Sequence, residues 1–295
     1  MNVENIKKIT VVGAGVMGNG ITQVCARNGF KVMMVDVNEE VLKNAYKQIK
    51  DGPFGLSRLV EKGKIKSDEM EQIINNIEST TDPREAAKDA DLVIEAVSEN
   101  LELKKKIWNQ YDELCPEKTI FASNTSTIMI TDQAAATERA DRFIGMHWFN
   151  PAPVMKLIEV IRGALTSDST FNFIVEFSKK LGKIPVEASD SPGFFTSRFI
   201  SEFMIRGVRM FEEGMAGIKE IDTMCKLGFG FPMGPFELMD LTGIDIIMHA
   251  GEYVYSITGD PNDKAPITLR KLVTAGYIGK KPGSRGGWYD FYNIK

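Results

Sequence analysis

Hydrophobic positions in the first 190 residues fall into short continuous runs separated by stretches of helical period. KKITVVG (7–13) is a β-branched run stopped by a glycine, and FKVMMVD (30–36) is a second; both read as buried strands around a helix at 17–28. From 38 to 75 the chain is polar and helical. Pro53 and Gly55 interrupt it within QIKDGPFGLSRLVEKGKI, which predicts a helical hairpin in two pieces inserted after the second strand. Strand-like runs recur at DLVIEAV (91–97), KTIFASN (118–124), RFIGMHWF (142–149), KLIEVIRG (156–163) and KIPVEA (183–188). Helical patterns at 101–114, 128–136 and 168–181 separate most of them. Such alternation predicts crossover units and a mainly parallel sheet.

Past SDSPGF (189–194) the strand signals stop. The segments 194–213, 217–228, 234–257 and 266–276 all carry helical patterns, with turn signals such as GFPMGP between them. The expected architecture is therefore an α/β domain over 1–189, a doubly wound sheet of Rossmann type with the 38–75 hairpin inserted. An all-α domain over 190–295 follows. A chain of 295 residues suits two domains, because single cores stop growing at about 250 to 300 residues.

Composition narrows the function classes. A net charge of −4 makes no electrostatic case for nucleic acid or an anionic membrane as partner. Cys25, Cys115 and Cys225 lie far apart without metal-ligand spacing, so they read as packing residues of a reducing compartment, and no metal site is expected. No apolar run approaches the roughly 18 residues of a membrane span. Structured sequence begins by residue 7, which leaves no room for a targeting peptide. These features predict a soluble, cytoplasmic protein.

The chemistry begins at GAGVMG (13–18), a G-x-G-x-x-G motif of Gly13, Gly15 and Gly18 with Val16 and Met17 inside it. Directly after a strand and opening a helix, it predicts a dinucleotide site. The first glycine makes the turn, the second lets the backbone approach a pyrophosphate, and the third lets helix and strand pack closely. The free amides of the helix N-terminus face the phosphates. Asp36 ends the second strand, where a carboxylate binds the ribose hydroxyls and repels a 2′-phosphate; NAD is expected rather than NADP.

Hydride transfer from an alcohol needs a base, and histidine requires the least tuning. The chain has two, His147 and His249. His249 lies in a helical pattern and reads as a helix-face residue. His147 ends a strand, where open parallel sheets gather their ligands. Glu159 lies in the next strand, in an apolar run that makes an unpaired carboxylate costly. Paired, it would fix the tautomer of His147 and stabilise the imidazolium. The bland alternative is a solvated histidine and an unrelated acid. SNTST (123–127) follows another strand end; its hydroxyls suit a substrate oxygen or, equally, a helix cap.

Together GAGVMG, SNTS, GMHWFNPAPVMKLIEV, SPGF, KLGFGFPMGPFELMD and GKKPGSRGGWYDF, in this order and spacing, closely resemble the L-3-hydroxyacyl-CoA dehydrogenases, which include the 3-hydroxybutyryl-CoA dehydrogenases. The resemblance runs from about residue 7 to 293. It implies NAD-dependent interconversion of L-3-hydroxyacyl-CoA and 3-ketoacyl-CoA, with short-chain substrates expected. His147 would be the catalytic base, Glu159 its orienting partner, and Ser126 the contact to the substrate C3 oxygen. Glu99, Lys104 and Asn150 would line the cofactor site, with Lys281 reaching it from the helical domain. Ser57 and Lys64 of the hairpin are expected to contact coenzyme A, and the helical domain to form a homodimer. One departure stands out: where the family's PGF-x-x-N-R motif usually supplies an asparagine, this chain has PGFFTSR, placing Ser197 there. Ser197 is still expected to face the substrate. The competing readings are a dehydrogenase of a free hydroxy acid or sugar acid, and a non-catalytic NAD-binding protein.

Overall fold

The computed structural model describes residues 3–294; Met1, Asn2 and Lys295, at the outer ends of the two expected domains, lie outside the described residues. The chain divides into two compact units, Met1–Asp190 and Ser191–Lys295.

The first unit is built on eight strands: β1 (Lys8–Val12), β2 (Lys31–Val35), β3 (Ile77–Thr80), β4 (Leu92–Glu95), β5 (Ile120–Ser123), β6 (Phe143–Trp148), β7 (Leu157–Arg162) and β8 (Ile184–Ser189). Their order across the sheet is β3-β2-β1-β4-β5-β6-β7-β8. The helices are α1 (Val16–Arg27), α2 (Glu39–Asp51), α3 (Leu56–Glu61), α4 (Ser67–Ile74), α5 (Pro83–Ala87), α6 (Leu101–Leu114), α7 (Ile130–Ala134) and α8 (Asp168–Lys180). Central strands β4, β5 and β6 are buried along their whole length, as the continuous apolar runs require of a sheet covered on both faces. One core joins Ile9, Val11, Ile94, Ile144 and Val160 of the sheet to Ile21 and Val24 of α1 and to Phe173 and Phe177 of α8. Side-chain caps start several helices: Asn38 accepts from Glu40 N (2.8 Å), Asn100 from Leu103 N (2.9 Å) and Ser167 from Thr170 N (3.2 Å).

Three features depart from the sequence-based expectation. The hairpin has a second break, at residues 62–66 around Gly63 (φ +64°), so it is three helices, α2 to α4. β3 and α5 were not expected; IEST is short, its three residues after buried Ile77 are polar, and it lies at the sheet edge, so no hydrophobic period marks it. Finally, β6 and β7 are antiparallel, whereas every other pairing is parallel. Residues 149–156 are too few for a parallel crossover, which needs a dozen or more. The connection length therefore carried the information that strand pattern alone did not.

The second unit is all helical: α9 (Thr196–Glu212), α10 (Ile218–Phe229), α11 (Pro235–Thr242), α12 (Ile244–Thr258), α13 (Ile267–Thr274) and α14 (Trp288–Phe291). Phe236, Met239, Leu269, Leu272 and Trp288 centre its core. The single helix expected at 234–257 is two, because Gly243 takes φ +113° and leaves the helical region. Buried Asp222 closes the N-terminus of α11, accepting from Phe236 N (2.9 Å) and Glu237 N (3.0 Å).

Candidate active site

The glycine loop joins β1 to α1. Gly13 holds φ +96°, and a Cβ there would lie 2.7 Å from the Ala96 carbonyl oxygen; at Gly18 a Cβ would lie 1.7 Å from the Gly13 oxygen. At Gly15, by contrast, a Cβ would meet no atom within 4 Å. The first and third glycines are thus fixed by the protein's own packing, while the second faces open space where a pyrophosphate approaches. Val16 is exposed on the first turn of α1, and Met17 packs against the core.

Asp36 follows β2. Its Oδ2 accepts from Ala14 N (2.9 Å) and its Oδ1 from Asn38 N (3.3 Å), which fixes the carboxylate beside the loop. A cavity of about 370 Å³ opens there, lined by Gly13, Gly15, Asp36 and the apolar Val37, Val41 and Ile107. An apolar slot with a carboxylate at its rim fits an adenosine. These residues suit a dinucleotide without a 2′-phosphate, so Asp36→Ser is expected to lower kcat/KM with NAD and raise it with NADP, each on the order of tenfold. Steady-state rates with the two cofactors check this; an unchanged ratio removes Asp36 from the discrimination.

A second cavity of about 540 Å³ lies on the other side of the loop, between Ala14, Gly15 and Gln23, the hairpin residue Phe54, and Asn150 and Ala152 of the β6–β7 connection. Asn150 precedes a cis proline, Pro151. The hairpin residues Ser57 and Lys64 differ in environment. The Ser57 hydroxyl donates to Asp51 Oδ1 (2.7 Å), whereas Lys64 is exposed with Lys62 and Lys66 around the α3–α4 turn.

His147 on β6 and Glu159 on β7 are register partners in the antiparallel ladder. Their side chains meet with Nδ1 2.8 Å from Glu159 Oε2, both nearly buried at 4% and 2% exposure. Adjacent on β5, the strand end is held by a buried ionic group. Lys104 Nζ donates to Glu95 Oε1 (2.6 Å) and lies 3.3 Å from Glu99 Oε2. Glu95 Oε2 accepts from Ser123 Oγ (2.7 Å). Glu99 Oε1 accepts from Thr125 Oγ1 (2.5 Å), Ser126 N and Thr127 N (2.9 Å each). Burial pushes Glu99 up, but Lys104, the Thr125 hydroxyl and the two amides together hold it below the ordinary carboxylate value. Burial likewise opposes the charge on Lys104, and the two carboxylates outweigh it and raise its pKa. Glu99 and Lys104 are therefore both ionised at neutral pH.

Lys104 is 1% exposed, and its charge is paired with Glu95 and Glu99. Glu99 braces the loop that carries Ser126, whose own hydroxyl has no protein hydrogen-bond partner among the described residues. Asn124 Oδ1 accepts from Trp148 N (2.9 Å), tying the β5 end to the residue after His147. Glu95 and Asn124 were missed from sequence. The available signal for Glu95 was a carboxylate within the otherwise apolar LVIE run, and for Asn124 its place in SNTST. Beyond the loop, Asp190 Oδ1 accepts from Ile130 N (2.7 Å) and its Oδ2 from Thr131 N (2.9 Å), anchoring α7.

In the second unit, Ser197 lies in the first turn of α9, after Gly193 and Phe194 with φ of +77° and +49°. Lys281 Nζ donates to Asp245 Oδ1 (2.6 Å).

A dinucleotide loop with a strand-end carboxylate and a buried histidine–carboxylate pair on neighbouring strands define an NAD-linked dehydrogenase. Residues 8–191 match the family model described as 3-hydroxyacyl-CoA dehydrogenase, NAD binding domain, and residues 193–290 match the C-terminal domain of the same family. A probable 3-hydroxybutyryl-CoA dehydrogenase of Bacillus subtilis is 43% identical over 286 residues, covering 97% of this chain and 98% of that one. The human mitochondrial hydroxyacyl-coenzyme A dehydrogenase is 40% identical over 289 residues, 97% of this chain and 91% of that one. The crystal structure of (S)-3-hydroxybutyryl-CoA dehydrogenase from Ralstonia eutropha superposes with a TM-score of 0.89 at 41% identity, covering 95% and 98% of the two chains. The chain belongs to the 3-hydroxyacyl-CoA dehydrogenase family, and it is an NAD-dependent oxidoreductase.

Proposed function

We propose that this enzyme interconverts L-3-hydroxyacyl-CoA and 3-ketoacyl-CoA, with the short-chain pair 3-hydroxybutyryl-CoA and acetoacetyl-CoA as preferred substrates. The observation that carries the reading is the buried 2.8 Å bond from His147 Nδ1 to Glu159, beside the strand end that carries Ser126. NAD held by the glycine loop and Asp36 would supply the acceptor for the hydride leaving the substrate C3. With its Nδ1–H donating to Glu159, His147 presents Nε2 as the proton acceptor for the C3 hydroxyl. Glu159 stabilises the imidazolium that results, and in the reverse direction His147 Nε2 returns the proton. The Ser126 hydroxyl holds the C3 oxygen, with its loop fixed in place by Glu99. Asn150 takes part in holding the cofactor.

Lys62, Lys64 and Lys66, exposed together on the hairpin, support recognition of the coenzyme A phosphates. Ser57 then contributes through its bond to Asp51, which fixes the start of α3 against the end of α2. The enzyme acts as a cytoplasmic homodimer. Exposed Met224, Leu227 and Phe229 on α10 support an interface on the helical unit. Among the described residues no helix is long and apolar enough to cross a membrane, and no cluster of three or more His, Cys, Asp or Glu could hold a metal ion.

The deciding experiment compares NADH oxidation with acetoacetyl-CoA and with free acetoacetate at matched concentration. Turnover of the thioester at least about a hundredfold faster in kcat/KM is expected, because remote binding to the coenzyme A handle orients the acyl group. Equal turnover of both would favour a dehydrogenase of free hydroxy acids.

A further inference from the structure

Lys183 stands between α8 and β8, after Gly182 at φ +72°, and its side chain runs inward. Only 8% of it is exposed. The ammonium donates to the carbonyl oxygens of Ala152 (2.6 Å) and Met155 (2.7 Å), both in the connection between β6 and β7, and lies 5.3 Å from the ring centre of Trp148. A buried cation normally has a carboxylate beside it. Here its partners are two backbone carbonyls and an aromatic ring, while the charged group facing it from α1 is another cation, Arg27, with the Cys25 thiol nearby. Burial first, and Arg27 second, push the lysine down to about 8. The protein therefore pays in stability to keep an ammonium at this position.

The connection it holds is the wall of the second cavity. Ala152 and Pro153 press against α1 at Gly20, where an added Cβ would lie 3.1 Å from Ala152 Cβ and 3.2 Å from Pro153 Cδ. Asn150 and Ala152 face Ala14 and Gly15 across that cavity. α1 supports the connection at Gly20, and Lys183 ties its carbonyls. We propose that Lys183 is a positioning residue for the dinucleotide, setting the distance between the Asn150–Pro153 wall and the glycine loop.

Because the His147–Glu159 pair is held by strand register, it does not depend on this tie. Lys183→Met is therefore expected to raise the dissociation constant for NADH, followed by its fluorescence, about tenfold. The KM for NAD should rise in parallel while kcat stays within about twofold. Hydrogen exchange in residues 149–156 should quicken, with little change in Tm, since a costly buried charge is removed along with its two bonds. Lys183→Gln, which retains amide donors without the charge, should fall between the two; if the methionine variant does not fold, the glutamine variant decides. Unchanged NADH affinity in a folded variant overturns the proposal. So does weaker binding that appears only with a matching fall in Tm and kcat, which marks a merely structural lysine. NADH binding and exchange need no acyl substrate, so a wild-type enzyme inactive on acetoacetyl-CoA would count against the proposed reaction and leave this test intact.

Discussion

His147→Ala is expected to fold, to bind NADH as the wild type does, and to lose about a thousandfold in kcat, within the range a positioned general base contributes. Cofactor affinity should survive because the imidazole is bonded to Glu159 on β7, while the glycine loop is built from β1, β2 and α1. Glu159→Gln should lose roughly a hundredfold, since the amide can still meet Nδ1 but no longer offers a negative charge to the imidazolium. Single-turnover hydride transfer and NADH titration on the same preparations separate the two effects. Turnover of the alanine variant within tenfold of wild type would remove His147 from the mechanism.

The second large effect is expected at Gly18. A methyl there would lie 1.7 Å from the Gly13 carbonyl oxygen, a backbone atom that cannot step aside without moving the turn. Gly18→Ala should therefore weaken NADH binding by about a hundredfold or more, or leave the first unit unfolded, as overpacking and backbone displacement act together. Gly15→Ala is the control: its Cβ meets no protein atom, so the fold should be intact and only ligand binding reduced. Calorimetric melting and NADH titration of both variants check this. Equal Tm losses in the two would show that the glycine loop is limited by something other than the contact at Gly18.

The dinucleotide half of the site was legible because its signals are local. A glycine motif follows a β-branched run, an acid closes the next strand, and the period changes between them. The pairing of His147 with Glu159 was expected, but its geometry was not, since the reading gave a mainly parallel sheet without singling out these two strands, which run antiparallel. Glu95 and Lys183 escaped for a different reason. Each is a charged residue in a stretch whose pattern looks ordinary, and partners that fix it, Ser123 for one and two carbonyls for the other, lie 28 to 31 residues away in sequence. The break of the long C-terminal helix at Gly243 was visible as a glycine but not as a positive φ. β3 was hidden because an exposed edge strand needs little apolar content.

The antiparallel pairing has a consequence for how the chain reaches its working form. His147 and Glu159 are twelve residues apart, whereas the bond of Asp36 to the glycine loop spans 22 and that of Ser123 to Glu95 spans 28. Closing a loop costs about 0.6 kcal/mol for each doubling of its length, and short hairpins close in about microseconds. This pair thus belongs to a local hairpin that can close before the crossovers around it are made. The cofactor half draws on β1, α1 and β2 together, so it depends on contacts of longer sequence separation than the hairpin does.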